Sequence, residues 1–364
     1  MEETVPPERK DEIGAMIYEE DLNQDSLKFL SGQEILFLLT TFEAFNKKAP
    51  LPEFEKNHRK VYNELLARVR DAEKLFVLYD MNTGYPYIDH GFANVYFEKE
   101  IAEKAVELFG KQFRKLVARE CQMEVAGKDG QVRGFFDFLY YLGIENIIVD
   151  NGAYRARFKR TEIMAAPFEW NQKEKTAPPT NPALNFALLD FVGELKWPVK
   201  YEKRPEVLAA KEMRMLSLLR ASRFMVPMQH EGPAEVGEDG QIKLTKDSKL
   251  KFLVMKTADD KQFLPIYTDA MEFGKFPKRG EWNVGVFAYR DILKFIQDKD
   301  GIRINPEGVG IVIPRDRLMA LENVAQQAQA EKEKKKVKKA TGDGADAAVK
   351  KALDQALSQL DNKQ

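Results

Sequence analysis

The sequence predicts an α+β fold built as two tandem, similar modules, each with helices packed on a small mixed, mainly antiparallel sheet. Three observations lead there. Apolar residues recur at helical spacing in some segments and in short strand-like runs in others. The two kinds of segment follow the same order twice, offset by about 150 residues. A chain of 364 residues, 44% hydrophobic and 32% charged, suits a globular protein of one or two domains.

The elements follow in order. Residues 1–25 carry nine Asp or Glu against Arg9 and Lys10 and include Pro6-Pro7, which predicts a mobile acidic arm. The first module spans 30–166. It opens with an apolar helix through Glu34-Ile35-Leu36-Phe37-Leu38-Leu39 to Phe45, stopped by Pro50 and Pro52. The second module, 184–320, opens the same way from Leu184 to Leu195 and stops at Pro198. A second helix follows in each, with Phe54, Val61, Leu65 and Val69 on one face, or Leu208, Met215 and Leu219 after Pro205.

Each module then reads as a short strand (Leu75–Tyr79; Arg223–Pro227) and a hairpin. The first hairpin turns at Asp89-His90-Gly91-Phe92. The second runs from Phe252–Met255 to Phe263–Tyr267 around Ala258-Asp259-Asp260-Lys261. A helix opens at Glu98 in one and at Thr268-Asp269 in the other, where Glu272 completes a capping-box pattern. A strand (Leu116–Glu120; Val284–Ala288), a short helix (Phe135–Leu142; Tyr289–Ile296) and a last strand-turn close each module. Asp137 and Asn151 are 14 positions apart, as are Asp291 and Asn305, which aligns Asn151 with Asn305. Residues 167–183, with four prolines, read as a linker. Residues 322–364 form a Lys/Ala-rich tail in which Val349, Leu353, Ala356 and Leu360 fall at helical spacing. Both ends are expected to add little to the fold.

The second module, with its strand ending in Tyr267-Thr268-Asp269 and its later Asn305-Pro306 turn, resembles the N-terminal domain of the SseB (enhanced serine sensitivity) family over about residues 184–320. The first module looks like a degenerate copy, with Phe97-Glu98 for the aromatic-Thr pair and Asn151-Gly152 for Asn-Pro. The resemblance implies an α+β domain and no established activity. It makes Asn305 and Pro306 the candidate functional turn.

Chemistry is scarce. No GxxxxGK[ST], GxGxxG after a strand, GxSxG or HExxH occurs, so neither a cofactor nor a metal is expected. His58 falls on an apolar helical stripe and reads as a packed core-edge residue. Asp89-His90 could pair as a general base, but neighbours in an extended segment point to opposite faces. His230 lies in a loop. Cys121 alone excludes an internal disulfide, points to a reducing compartment, and reads as a small buried residue.

With 57 basic and 58 acidic residues, the chain lacks the overall basic charge of a nucleic-acid binder. No run approaches the roughly 18 apolar residues of a membrane span, and the acidic start, Met1-Glu2-Glu3-Thr4, is unlike a secretory leader. Aromatics are the clearest surface signal: Phe273, Phe276 and Trp282 crowd one loop and are the candidate partner-binding residues. The expectation is a cytoplasmic, bacterial-type, non-enzymatic protein that binds a protein or peptide. The alternatives are an enzyme with its site in the cleft between modules, through Asp89-His90 or the Asn305 turn, and nucleic-acid binding through Lys334–Lys339.

Overall fold

The computed structural model describes residues 5–122, 125–126, 132–164, 178–232, 234–236, 242–244, 249–327 and 331. The expected linker lies largely outside these residues, and so does most of the tail.

The chain opens with α1 (Pro7–Ala15), a tight turn over Met16–Tyr18, and α2 (Gln24–Lys28). This segment is not a mobile arm. Val5, Ile13, Ile17 and Leu22 are buried in the same core as the helices that follow. The buried Asn57 side chain accepts from Leu22 N (3.0 Å) and donates to Glu19 O (2.8 Å), which fixes the segment's path. Net charge misled here because a few well-spaced apolar side chains are enough to anchor a short helix whose acidic face stays in water.

The first half continues with α3 (Gly32–Asn46), α4 (Phe54–Arg70), β1 (Lys74–Asp80), β2 (Ile88–Asp89), β3 (Phe92–Tyr96), α5 (Lys99–Gly110) and β4 (Leu116–Gln122). A small hairpin, β5 (Val125–Ala126) and β6 (Val132–Arg133), leads to α6 (Phe135–Tyr141), β7 (Asn146–Val149), β8 (Ala156–Lys159) and α7 (Arg160–Ile163). Ser31 starts α3 with a capping box: its hydroxyl accepts from Glu34 N and the Glu34 carboxylate accepts from Ser31 N. The β2–β3 turn is His90-Gly91, both at positive φ (48° and 87°), the geometry of a two-residue type I′ hairpin.

The second half holds α8 (Pro182–Lys196), α9 (Arg204–Ala221), β9 (Arg223–Glu231), the hairpin β10 (Ala234–Val236) and β11 (Ile242–Leu244), β12 (Lys249–Phe252), β13 (Met255–Lys256) and β14 (Gln262–Ile266). It ends with α10 (Ala270–Gly274), β15 (Asn283–Ala288), α11 (Tyr289–Phe295), β16 (Gly301–Ile304), β17 (Ile311–Pro314) and a helix over 315–327. Phe252 does not sit in the hairpin strand expected of it; it pairs with Met228 of β9, and only Met255–Lys256 pair with β14.

Strand order in the first sheet is β4-β1-β3-β7-β8, with β3 and β7 parallel and the other neighbours antiparallel. In the second half the order is β15-β9-β14-β16-β17, where a reciprocal Met225–Tyr267 bridge (2.9 Å each way) joins β9 to β14. Here too one pair, β14–β16, is parallel and the rest antiparallel.

Both sheets bury their two faces differently. Leu75 and Val77 of β1 face α3, α4 and α6, while Leu78 and Tyr96 face α5. In the second half Phe224, Val226, Leu264 and Ile266 face α8, α9 and α11; Met225 and Tyr267 face the other way, against Phe273, Phe276 and Trp282. Helix α8 serves both cores: Leu184, Ala187 and Leu188 enter the second and Leu189 enters the first.

Ile17→Ala removes a fully enclosed side chain from the first core, so it should lower the unfolding free energy by about 2–5 kcal/mol in urea denaturation. An unchanged midpoint would show that the N-terminal segment is not part of the core.

Candidate functional site

The expected Asn305 turn is a densely bonded polar site among the described residues. Strand β16 ends at Ile304, and Asn305 takes a left-handed conformation (φ 46°), which asparagine tolerates better than most side chains. Its amide donates to Ile266 O (2.9 Å), extending the parallel ladder by one bond. Its side-chain oxygen accepts from Thr268 N (3.0 Å), and its Nδ2 donates to Thr268 Oγ1 (2.9 Å). Its own carbonyl accepts from Gly308 N and Gly310 N, both at 2.9 Å, which closes the turn around Pro306.

Thr268 passes the order on. Its hydroxyl donates to Asp269 Oδ2 (2.8 Å), which also accepts from Asn185 Nδ2 of α8 (2.8 Å); Asp269 Oδ1 accepts from Glu272 N (2.9 Å) and caps α10. The expected capping box does not form. Glu272 turns its carboxylate away from the cap to the first half, where Oε1 accepts from Tyr85 Oη (2.7 Å) and from Lys275 Nζ (2.7 Å). Lys275 also donates to Tyr85 Oη (2.8 Å) and stands over that ring. Glu272 Oε2 is buried without a partner. Burial pushes the Glu272 carboxyl up, against the pull of Lys275 and Tyr85; burial and the facing carboxylate push the Tyr85 phenol up as well. Gly308 seals the cluster, because a Cβ there would lie 2.2 Å from Tyr85 Oη and 2.4 Å from Glu272 Oε2. Chemically this is a buried carboxylate–phenol–ammonium latch between the two halves.

The first sheet carries a counterpart one residue earlier than the 14-residue interval implied. Asp150, at φ 46°, directly follows β7; its amide donates to Val95 O (2.8 Å) and its Oδ1 accepts from Phe97 N (3.3 Å). Asp150, not Asn151, therefore occupies the Asn305 position. Asn151 instead donates to Asn94 Oδ1 (3.1 Å). The connection from α6 to β7 is one residue shorter than that from α11 to β16, and a fixed interval cannot reveal this. Asp150 is almost fully enclosed, and burial pushes its carboxyl up to about 7, opposed by the Phe97 amide and the Gln33 side chain.

The other candidates scatter. Asp89 and His90 do meet (Oδ1 to Nδ1, 3.0 Å), because His90 lies in the left-handed turn and not in a strand; the imidazole stands at the hairpin tip, 91% exposed. His58 contacts Glu43 (3.3 Å) and stacks between Phe54 and Tyr62. His230 Nδ1 is buried without a partner on β9. Cys121 packs beside Tyr79 (Sγ to Oη 3.8 Å), and burial pushes its thiol up, away from the reactive thiolate. No group of three or more His, Cys, Asp or Glu among the described residues could hold a metal ion.

A small hollow of about 40 Å³ lies between the halves, with Asp80, Tyr87 and Arg114 on one side and Asp190, Glu194 and Lys211 on the other. Its charges are largely paired within it: Lys211 binds Asp190 (2.8 Å) and reaches Glu194 (3.4 Å), and Arg114 stacks on Trp197 (3.8 Å to the ring centre).

The candidate partner-binding aromatics are together, though not all at the surface. Phe276 is buried against Met225 and Tyr267, so its ring is a packing residue and no exposed anchor; Phe273 and Trp282 are half-buried beside it. The strand next to them is where the sequence places it, and what sequence reasoning missed is its open apolar face. Val284 and Val286 of β15 are 40% and 37% exposed on the same face, opposite Pro227 and Met225. Alternation in the run Asn283–Ala288 holds that signal. The Tyr85–Glu272 contact spans 187 positions and carries no motif.

The pH dependence of Asp150 follows from the direction of its shift. Its folded carboxyl binds a proton more tightly than in the open chain, so stability falls as pH rises from about 4 to about 7 and levels off above. Asp150→Asn, which places in the first sheet the residue the second already has, should stabilise the protein at pH 8 by about 1–3 kcal/mol and little at pH 4. Asn305→Asp should do the reverse. Chemical denaturation at the two pH values measures both; a pH-independent effect would show that Asp150 is not the titrating group.

A sequence model of the SseB protein N-terminal domain matches residues 206–320. The match begins inside α9, later than the expected 184, and takes in Thr268, Asp269 and Asn305. No curated protein and no solved structure matches the chain. The second half of this chain is thus similar to the SseB N-terminal domain from α9 onward.

Proposed function

We propose that the chain is a non-enzymatic binding protein of two related α+β modules, residues 30–166 and 184–320, in which the second, SseB-like module presents a docking face for a protein or peptide. The shared strand order and directions of the two sheets, with a left-handed Asp150 or Asn305 in the same place, support the duplication.

The observation that carries the binding reading is the face of Val284 and Val286, floored by Met225, Phe273 and Trp282. In the first sheet, Ala118 and Glu120 of β4 stand opposite Leu78 and Phe76, and α5 covers that face. Its equivalent in the second half is apolar and open, as at a docking patch. The polar groups of the Asn305 turn are engaged internally, and Glu272 Oε1 is held by Tyr85 and Lys275, which favours binding over catalysis there. The single cysteine fits a cytoplasmic setting, and no described helix is long and apolar enough to cross a membrane.

Val284→Glu with Val286→Glu places charge on exposed positions and should leave the fold intact by circular dichroism. Random-peptide display on the purified protein should enrich apolar segments whose binding this pair of changes lowers at least about tenfold. Enriched peptides indifferent to Val284 and Val286 would sink the docking reading, and loss of activity in a folded His90→Gln variant would favour the enzyme.

A further inference from the structure

The first half shows what such a face takes when it is complete. Helix α5 is 12 residues long and lays Ile101, Ala102 and Ala105, flanked by Val106 and Phe109, on Leu78, Tyr96 and Leu116. In the second half the helix at that place, α10, has five residues and ends at Gly274, so β9 and β15 lack most of that cover. The space is therefore that of one amphipathic helix with small residues toward the sheet.

The chain carries a segment of that kind. Residues 345–364 contain neither proline nor glycine and are rich in Ala, Leu, Lys and Gln, all good helix formers. Ala352, Leu353, Ala356, Leu357 and Leu360 repeat the spacing of Ile101, Ala102, Ala105, Val106 and Phe109 position for position. On a helix both sets make one apolar stripe. The segment also reaches. Thirteen residues, 332–344, separate it from the described helical residue 331 and can span roughly 45 Å, enough for the roughly 30–40 Å width of a module of this size.

We propose that residues 345–364 dock as an amphipathic helix on the Val284–Val286 face of their own chain, in the place that α5 fills in the first half. This rests on the reading of that face as a docking site, and it makes the tail an internal occupant that an external partner must displace.

The test uses the full-length protein. Leu353→Asp, Leu357→Asp and Leu360→Asp together remove the apolar stripe without touching the described fold. Hydrogen exchange read by mass spectrometry should then show the amides of 282–288 exchanging about tenfold or more faster than in the unaltered chain, with those of β1 and β3 unchanged. The slow exchange of the unaltered chain should persist on hundredfold dilution. Equal exchange in both proteins overturns the proposal, and protection lost on dilution overturns it in favour of a tail from a second copy. If exchange is equal while displayed peptides still depend on Val284 and Val286, the tail is refused and the docking reading stands. If neither depends on the face, both fall.

Discussion

The second half depends on the tie between Asn305 and Thr268. Two parallel strands give no turn of their own to set the chain's exit, because their ends are joined only through a long crossover. A left-handed residue just after β16 aims its side-chain amide at the chain leaving β14 and satisfies the Thr268 N–H, which is fully enclosed. Leaving such a donor unpaired costs about 1–3 kcal/mol, more than the strain of a left-handed asparagine. From that anchor the order passes to Asp269, to the cap of α10, and to the position of Glu272. Remove the tie and the inter-half latch loses its register.

The same constraint explains how the halves meet. Glu272 can face Tyr85 only because Asp269, and not Glu272, caps α10. Asn185 of α8 binds both Asp269 and the Tyr141 carbonyl (2.8 Å each), so one side chain on the shared helix touches both halves. Two glycines permit the approach. Gly143, at φ 68°, lies where a Cβ would fall 2.1 Å from Pro182 O, and Gly308 lies against Tyr85 and Glu272. A helix with apolar residues on two sides, seated at such contacts, leaves the halves little freedom to rotate.

Much of this was legible in the sequence. Periodicity places the paired helices of each half and the short strands, and Thr268-Asp269 and Asn305-Pro306 stand out as a helix start and a turn, with nothing in the sequence to say that they meet. The rest was hidden for identifiable reasons. The charge of the N-terminal segment points to solvent, while four well-spaced side chains decide its burial. A fixed interval aligns Asn151 with Asn305, but a connection one residue shorter gives the role to Asp150. Glu272 fits a local capping pattern, but a phenol 187 positions away offers its carboxylate a better partner once both are buried. Phe276 looked like a loop aromatic because nothing local says that the sheet lacks a helix above it.

That missing cover is where the two halves differ most in physical terms. Both sheets end in an exposed edge strand, β4 or β15. The β4 edge is protected in the usual manner, with charge outward: Glu120 pairs with Lys74 (3.0 Å) and Arg119 stacks over Tyr79. The β15 edge has none of this. Its sequence from Asn283 to Ala288 has no charged residue, and its two valines lie open on the face that α5 would cover. A short uncharged edge strand with apolar side chains invites association. Such an edge is tolerable if an occupant of matching chemistry is always close. A covalently tethered segment meets that condition at any protein concentration, because its effective concentration is set by the linker and not by dilution. The shortening of α10 to five residues then becomes intelligible: a helix fixed permanently in the α5 position would close the face, whereas a tethered one can leave it.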